Sequence, residues 1–359
     1  MLLRLLDFEK YIIKEQHLML GIVFLGNRRI ELREFPDPTP GEGEVVLEIK
    51  ASGMCGTDLR AYRNGKPGGV HSISGHEPCG VVVAVGAGVS KQQAKIHSRV
   101  MVHHYDGCGV CQHCRTGWTQ ICDDGSISYG SGKADGGHAR YMKVPAHTLL
   151  PLPDSLTFTT GAAISCGTGT AYAAIKRLCV QGDETILIFG QGPVGLSATQ
   201  FAVAMGARVI VIEVSPERRQ LGLNFGAEVA LDPNEVDTVE SILALTHGEG
   251  AHKAIETSGN EAARSAAVRG TRTWGATCLI AGGGQIKLDV NRDLTHRQRM
   301  VFGHWTFSKN GQADCARFVS ERKIDVDKLF THRWTLDQAD EAYRLLDQQK
   351  TGKGVFLPT

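Results

Sequence analysis

Residues 184–214 read ETILIFGQGPVGLSATQFAVAMGARVIVIEV, and this stretch decides the class of fold. An apolar, β-branched segment leads into a glycine-rich turn, which is followed by a run of helix formers and by a second apolar segment. Strand, turn, helix and strand in this order are typical of a parallel βαβ unit. The alternation continues through 254–257 and 275–281, so the sequence predicts an α/β protein with a doubly wound parallel sheet.

The glycines of this turn have the spacing of a dinucleotide-binding site. Gly190, Gly192 and Gly195 form a G-x-G-x-x-G string between the strand and the helix. We expect Gly190 to make the tight turn, Gly192 to let the backbone approach a pyrophosphate, and Gly195 to allow close helix–strand packing. The helix start, with Pro193 and Val194, would hold the phosphates through free N–H groups. The alternative is a plain β-turn-α connection without a ligand.

An acidic residue at the end of the second strand predicts which dinucleotide is used. Glu213 would accept hydrogen bonds from the adenosine ribose hydroxyls and would repel a 2′-phosphate, which favours NAD. Arg218 and Arg219 follow closely, and an arginine at this place can accommodate a 2′-phosphate. The sequence therefore predicts NAD as the preferred cofactor and NADP as the alternative.

A second cluster of chemistry-bearing residues lies in a loop upstream. Four cysteines fall within fifteen residues, at Cys108, Cys111, Cys114 and Cys122. Thiolates at such short spacing suit a tetrahedral zinc ion. Two disulfides in a secreted module are the alternative, which the length of the chain and the lack of a secretory signal disfavour. Four sulfur ligands close the coordination shell, so we expect a structural zinc in a lobe at about 105–125.

Size and charge limit the classes of function. A chain of 359 residues predicts two domains. Lys plus Arg (39) nearly balance Asp plus Glu (38), which argues against a nucleic-acid or anionic-membrane partner. No apolar stretch approaches the roughly 20 residues that span a bilayer. Ten cysteines with metal-type spacings predict a cytoplasmic location. Residues 1–18 are predicted to form a short amphipathic extension.

The part before the nucleotide turn has a different pattern. From about 19 to 155 the chain shows short β-branched runs separated by Gly and Pro, at 44–50, 80–85 and 98–102. From about 306 onward it predicts two helices and a closing strand. These observations indicate a β-rich part, a parallel α/β part and a C-terminal tail.

Two segments of the β-rich part, and one hinge-like segment, carry candidate metal ligands. They are GMCGTDL at 53–59, GHEPCG at 75–80 and AAISCGTGTAY at 162–172. Taken singly, Cys55 could be a small buried hydrophobe, His76 a hydrogen-bonded loop histidine and Cys166 a helix-packing residue. Together with the four-cysteine loop and the nucleotide turn, in this order, the segments resemble the zinc-dependent alcohol dehydrogenases of the medium-chain dehydrogenase/reductase superfamily. The resemblance runs from about residue 19 to the C-terminus.

The resemblance implies the domain organisation. A GroES-like β-rich catalytic domain would comprise 19–165 and 306–359, and a Rossmann nucleotide-binding domain would comprise 166–305. Substrate would bind in the cleft between them. Family members of this length are often homotetramers, so we expect a homo-oligomer, either a tetramer or a dimer.

The resemblance also implies a second, open metal site. Cys55, His76 and Cys166 would ligate a catalytic zinc whose fourth position is open to water or alcohol. Asp58 would orient His76, and Glu77 would lie close behind the metal. With the four-cysteine site, this predicts two Zn²⁺ ions per subunit.

The implied reaction is hydride transfer between an alcohol and the nicotinamide, with an aldehyde or ketone as the other partner. Thr57 would carry the hydroxyl proton away. Where many family members relay that proton through a histidine, this chain has Arg60. Gly56 stands where a basic residue would touch the pyrophosphate, so Lys353 is expected to supply that charge, with a solvated surface lysine as the alternative.

Two other functions are weighed against alcohol oxidation. A polyol or sugar-type dehydrogenase would use the same zinc, but that branch commonly has a glutamate where this chain has Cys166. A non-catalytic NAD(P)-binding regulatory protein would not need the ligands, and the presence of Cys55, His76 and Cys166 disfavours it.

Overall fold

The structure is a computed structural model that describes residues 17–69, 71–132 and 134–358. The predicted extension 1–18 lies outside these residues except for its last two positions, and the first strand begins at Leu18. Strands β1 to β9 are Leu18–Gly26, Arg29–Pro36, Glu44–Gly53, Glu77–Val85, Arg99–Val102, Tyr105–Asp106, Ile127–Ser128, Tyr141–Pro145 and Leu149–Pro151. Strands β10 to β17 are Thr185–Phe189, Arg208–Ile212, Val229–Leu231, Ala251–Glu256, Thr271–Leu279, Met300–Gly303, Phe330–Trp334 and Lys353–Phe356.

Ten α-helices and several single turns connect the described strands. Helices α1 to α10 are Asp58–Asn64, Gln112–Arg115, Phe158–Ile164, Gly167–Leu178, Pro193–Ala204, Pro216–Asn224, Thr238–Leu245, Glu261–Arg269, Lys309–Glu321 and Ala339–Asp347. The 3₁₀ turns are Pro67–Gly69, Thr119–Ile121, Ala146–Thr148, Thr295–Arg297, Val326–Leu329 and Leu336–Gln338, and Val290–Leu294 forms a π-helical turn. Among the residues described, no helix is both long and apolar enough to cross a bilayer.

The first large sheet has seven strands from two distant parts of the chain. Its order is β16-β17-β3-β4-β5-β9, and β8 also pairs with β3. Strands β3 and β4 are antiparallel with Gly53 opposite Glu77, so the end of one strand lies beside the start of the other. The predicted runs at 44–50, 80–85 and 98–102 are the cores of β3, β4 and β5, which confirms the β-rich part.

The second sheet is the parallel sheet that the opening stretch predicts. Its six strands follow the order β12-β11-β10-β13-β14-β15. The chain moves outward from β10 to β12 and then returns to the other side of β10 at β13. Such a reversal creates a crevice at the carboxyl ends of the strands, where open α/β sheets bind ligands. The α/β class with a doubly wound sheet is thereby confirmed.

One apolar core joins the two sheets. It includes Ala51 and Met101 from the first sheet and Ile186 and Val209 from the second. Helices α3 and α4 contribute buried residues to this core, including Ile164 and Ile175. The turn between α3 and α4 therefore lies where the two sheets meet. The domain boundaries 19–165 with 306–359, and 166–305, stay a prediction.

Candidate active site

Strand pairing brings three distant segments to one place. Cys55 follows β3 and His76 immediately precedes β4, and these strand ends are neighbours because Gly53 pairs with Glu77. Cys166 lies directly before α4, at the turn between the two sheets. The fold therefore assembles the trio that the resemblance implies.

The ligand atoms of Cys55, His76, Glu77 and Cys166 all lie within 4.8 Å of one another. The sulfurs of Cys55 and Cys166 are 3.9 Å apart. Two thiolates at about 2.3 Å from a tetrahedral zinc would be about 3.8 Å apart, so the arrangement fits that ion. The buried Oε1 of Glu77 has no hydrogen-bond partner among the described residues. This oxygen is therefore free to act as a further metal ligand on the same cluster.

Asp58 and Thr57 contact the two ring nitrogens of His76. Oδ1 of Asp58 lies 3.0 Å from Nδ1 of His76, and both side chains are buried. Oδ2 of Asp58 accepts a hydrogen bond from the Cys55 backbone N–H at 2.9 Å. The hydroxyl of Thr57 lies 3.3 Å from Nε2 of His76. Asp58 thus holds the imidazole so that Nε2 faces the cluster and Thr57.

Lys353 occupies a different place from the one expected of it. Its Nζ lies 2.5 Å from Oε2 of Glu77 and 3.1 Å from the carbonyl oxygen of Met54, and the residue is 2% exposed. The predicted contact with a pyrophosphate is therefore wrong in this structure, and so is the surface-lysine alternative. The pairing of β17 with β3 turns the side chain inward, toward the end of β4 that carries Glu77.

Burial and neighbouring charges shift the pKa values of these groups in opposite directions. Burial alone would raise the pKa of Asp58, but the charge and hydrogen bond of His76 lower it to about 2. Burial alone would lower the pKa of His76, but Asp58 and the Cys55 sulfur hold it well above its usual value. Burial raises the pKa of Glu77 to about 7, even though Lys353 opposes this shift. The site therefore keeps Asp58 ionised against His76.

The four-cysteine loop forms a second compact set of sulfurs. The Sγ atoms of Cys108, Cys111, Cys114 and Cys122 all lie within 4.8 Å of one another. Backbone N–H groups point at the sulfurs, from Cys111 to Cys108 Sγ at 3.3 Å and from Cys114 to Cys111 Sγ at 3.4 Å. The N–H groups of Cys114 and Asp123 lower the pKa of Cys111 to about 6. Such N–H bonds favour the thiolate form that binds a metal.

Each glycine of the nucleotide turn has the geometry that its expected role requires. Gly190 has a φ of +87°, which a side chain would strain. A Cβ on Gly195 would lie 1.9 Å from the Gly190 carbonyl oxygen, whereas a Cβ on Gly192 would meet nothing within 4 Å. Pro193 is the first residue of α5, and Val194 faces the start of α4, 3.4 Å from a Cβ built on Gly167.

Glu213 and Arg218 line the crevice beside this turn. A cavity of about 570 Å³ is bounded by Gly190, Gly192, Glu213, Arg218 and other residues. The carboxylate of Glu213 accepts hydrogen bonds from the backbone N–H groups of Gln191 at 2.6 Å and Ser215 at 3.0 Å. Arg219 is turned away, because its guanidinium lies 2.6 Å from Asp232.

His104 is a site residue that the sequence reasoning missed. Its ring centroid is 5.1 Å from that of His76 and 4.2 Å from that of Tyr105. Its Nδ1 lies 2.8 Å from the carbonyl oxygen of Ser165, the residue before Cys166. The adjacent residues His103 and His104, directly after β5 and before the four-cysteine loop, are the sequence feature from which this site residue could have been predicted.

Comparison with known proteins finds similar sequences over most of this chain. The family model described as "Alcohol dehydrogenase GroES-like domain" matches residues 41–154, and "Zinc-binding dehydrogenase" matches residues 193–321. An "Uncharacterized zinc-type alcohol dehydrogenase-like protein YphC" of Escherichia coli is 39% identical over 353 residues, with 94% of this chain and 98% of the relative covered. Sorbitol dehydrogenase of Bacillus subtilis is 30% identical over 330 residues, with 90% of this chain and 92% of the relative covered.

A solved structure shows the same architecture. The 2R,3R-butanediol dehydrogenase of Bacillus subtilis superposes with a TM-score of 0.86 at 26% identity, covering 95% of this chain and 100% of the other. The structural similarity thus covers nearly the whole chain. The chain belongs to the zinc-type alcohol dehydrogenase family, whose members are oxidoreductases that act on alcohols.

Proposed function

We propose that Cys55, His76 and Cys166 hold the catalytic zinc of an alcohol dehydrogenase, and that the substrate oxidised there passes its hydride to a nicotinamide cofactor. The observation that carries this proposal is the convergence of three ligand atoms within 4.8 Å at the junction of the two sheets. When bound, zinc supplies the Lewis acidity that polarises the oxygen of the alcohol or carbonyl substrate.

The residues of the chain supply positioning and proton transfer. Thr57 is exposed beside His76, so its hydroxyl can accept the substrate hydroxyl proton while it donates its own proton to solvent. Asp58 fixes the imidazole of His76. Glu77 is held against Lys353 and leaves one oxygen directed at the cluster. Holding donor and acceptor in contact supplies much of the rate enhancement in such reactions.

A matched pair of cysteine variants tests the site. Cys55→Ser removes a proposed ligand, and we expect loss of one zinc per subunit and loss of NADH formation. Cys179→Ser removes an exposed cysteine outside both clusters and should change neither quantity. Alcohol oxidation by Cys55→Ser at the wild-type rate with normal zinc content would contradict the assignment. A wild-type protein that oxidises no alcohol would instead favour the non-catalytic alternative.

A hydroxyl-rich substrate is the second candidate, and two observations favour it. The ring of His104 lies beside that of His76, and the half-buried ring of Tyr105 lies against His104, so Tyr105 offers a polar group near the proposed metal site. Relatives include proteins named sorbitol dehydrogenase and L-galactonate-5-dehydrogenase. NADH formation over parallel panels of simple alcohols and polyols distinguishes the two, since kcat/KM will be higher for one class.

NAD is the cofactor that we propose. Glu213 lines the cavity beside Gly192, where a carboxylate accepts from ribose hydroxyls and repels a 2′-phosphate. Arg219 is occupied by Asp232, so of the two arginines Arg218 alone is placed for NADP. Initial rates with NAD and NADP at equal concentration test this preference.

A second zinc is proposed for the four-cysteine loop. The thiolate-favouring N–H contacts and the close sulfurs support a closed structural site. We expect Cys111→Ser to lower the zinc content from two to one per subunit and to make the loop sensitive to protease. An unchanged zinc content would contradict a two-zinc enzyme.

We further propose a homo-oligomer, in which the edge strand β15 contacts a second copy. Met300 on β15 is 61% exposed, and Trp274 on the neighbouring β14 is 71% exposed. An exposed edge strand with apolar side chains favours pairing with another chain. Light scattering of wild type and Met300→Glu tests this, and a wild-type monomer would contradict it.

Ten unpaired cysteines support the cytoplasm as the proposed compartment.

A further inference from the structure

A chain of buried hydrogen bonds runs from β3 to the aspartate behind the metal cluster. The hydroxyl of Ser52 lies 2.7 Å from Nδ1 of His138, and Nε2 of His138 lies 2.7 Å from the hydroxyl of Tyr343. The Tyr343 hydroxyl donates to Oδ2 of Asp58 at 3.2 Å. Ser52, His138 and Tyr343 are fully buried, and Asp58 is 3% exposed. We call Ser52, His138 and Tyr343 the relay.

The hydrogen bonds of the relay have only one possible donor direction, from Ser52 toward Asp58. An ionised Asp58 only accepts, so Tyr343 must donate to it. The Tyr343 oxygen then accepts from Nε2–H of His138, which leaves Nδ1 as the acceptor for the Ser52 hydroxyl. This arrangement requires a neutral His138, and burial lowers the pKa of His138 to about 4. Every donor is therefore directed toward Asp58, and hydrogen bonds in such a chain strengthen one another.

The backbone leaves space for the relay next to the metal ligand itself. Gly75 has a φ of +93°, and a Cβ at this position would lie 2.4 Å from Nδ1 of His138. His138 also packs edge-on against Phe356, and Tyr343 packs edge-on against Phe24. The ring positions are thus fixed by the core, and His138 fits only because the residue before His76 has no side chain.

We propose that the relay positions the ligand His76 through Asp58, and so controls how firmly the catalytic site holds zinc. The proposal rests on the metal site proposed above. Oδ2 of Asp58 is held by Tyr343 and by the Cys55 N–H, which aims Oδ1 at Nδ1 of His76. Without the Tyr343 hydroxyl the buried carboxylate loses one of its donors and can turn, and the imidazole loses its fixed orientation.

Tyr343→Phe tests the proposal, because it removes one hydroxyl and keeps the ring. Zinc release from the purified enzyme to a chelator is followed over time, and the two ions are distinguished with Cys55→Ser, which lacks the catalytic one. Loss of a direct partner of a metal ligand costs roughly 10–100-fold in affinity. Tyr343 contacts Asp58, which in turn contacts the ligand His76, so we expect a smaller effect. The catalytic zinc should be released about three- to tenfold faster, and the release of the four-cysteine zinc should not change.

Further variants and a Co²⁺ spectrum distinguish positioning of His76 from a general loss of packing. Ser52→Ala should accelerate release in the same direction but less. Tyr62→Phe is the matched control, since Tyr62 lies in the same aromatic cluster, 5.8 Å from Tyr343, outside the relay. With Co²⁺ in the catalytic site, Tyr343→Phe should shift the visible absorption bands and Tyr62→Phe should not.

Equal release from wild type and Tyr343→Phe with an unchanged Co²⁺ spectrum would overturn the inference. Equal acceleration in Tyr62→Phe would also overturn it, because general loosening of the aromatic cluster would then be the cause. Failure of the proposed metal site would appear differently, as normal zinc content in Cys55→Ser.

Discussion

The ammonium of Lys353 lies 2.5 Å from Oε2 of Glu77, and neither side chain has more than 2% of its surface exposed. The two residues are 276 positions apart in the chain. Their contact joins the C-terminal strand β17 to the start of β4, directly behind the candidate zinc ligands. A buried ion pair of this kind depends on both partners, because each alone would be an uncompensated charge.

Replacing one partner of this pair should cost far more than replacing both. We expect Lys353→Met to lower the free energy of unfolding by about 3–5 kcal/mol, since it leaves Glu77 buried without its cation. The double variant Lys353→Met with Glu77→Gln should recover much of that loss. Urea denaturation of the zinc-loaded proteins measures both. As a control, Lys328→Met breaks an exposed pair with Asp325 and should change stability by less than about 1 kcal/mol.

Alanine at two glycines of the nucleotide turn should have opposite consequences. Gly192 has a φ of −70° and open space around its Cα, so Gly192→Ala should leave the melting temperature unchanged. The added methyl group would occupy the approach of the pyrophosphate, and we expect the Kd for NAD to rise at least about tenfold. Gly195→Ala would instead place Cβ against the Gly190 carbonyl and should destabilise the fold by about 2 kcal/mol or more. Equal behaviour of the two variants would contradict the assigned roles.

Removal of the Glu213 carboxylate should weaken discrimination between the two cofactors. A hydrogen bond to a charged group contributes roughly 1.5–3 kcal/mol, so Glu213→Ala should lower the ratio of kcat/KM for NAD over NADP by about 10–100-fold. Glu217→Ala removes a nearby carboxylate that lies on α6 and should leave the ratio unchanged. A preserved ratio in Glu213→Ala would show that the preference is set elsewhere.

Acid should destabilise the protein between pH 6.5 and pH 4 through those buried histidines whose pKa is lowered, such as His304. Burial, with Arg177 nearby, lowers the pKa of His304 to about 4. An unfolded histidine titrates near 6.5, so in this interval the unfolded state binds more protons and the free energy of unfolding falls as the pH falls. His304→Phe should reduce this slope by up to about 1.4 kcal/mol per pH unit. Urea denaturation at several pH values measures the slope, and identical slopes in both proteins would refute the prediction.

Features whose parts are neighbours in the chain could be predicted from the sequence. The turn 190–195 contains all three glycines that shape it, and the positive φ of Gly190 and the close approach at Gly195 follow from that local string. The four cysteines of 108–122 likewise lie within one loop. Local sequence patterns predicted the central strands β3, β4 and β5 of the first sheet and β10, β11, β13 and β14 of the second, because such patterns are a property of neighbouring residues.

The catalytic trio needed more than local pattern. Cys55 and Cys166 are 111 positions apart, and the resemblance to the family was what joined them with His76. No spacing rule connects residues that converge only when β3 pairs with β4 and α4 packs between the sheets. His104 was missed for the same reason, since its place beside His76 depends on the path of the chain after β5.

The amino-acid sequence by itself determined the doubly wound α/β class, the dinucleotide turn and the four-cysteine loop. Tertiary structure decided the partners of the remaining charged and polar groups. It turned Lys353 toward Glu77 instead of a pyrophosphate, and it placed His138 and Tyr343 behind Asp58. The physical reason is that local periodicity specifies which face of a strand is buried, but the identity of the neighbouring strand follows from packing of the whole chain.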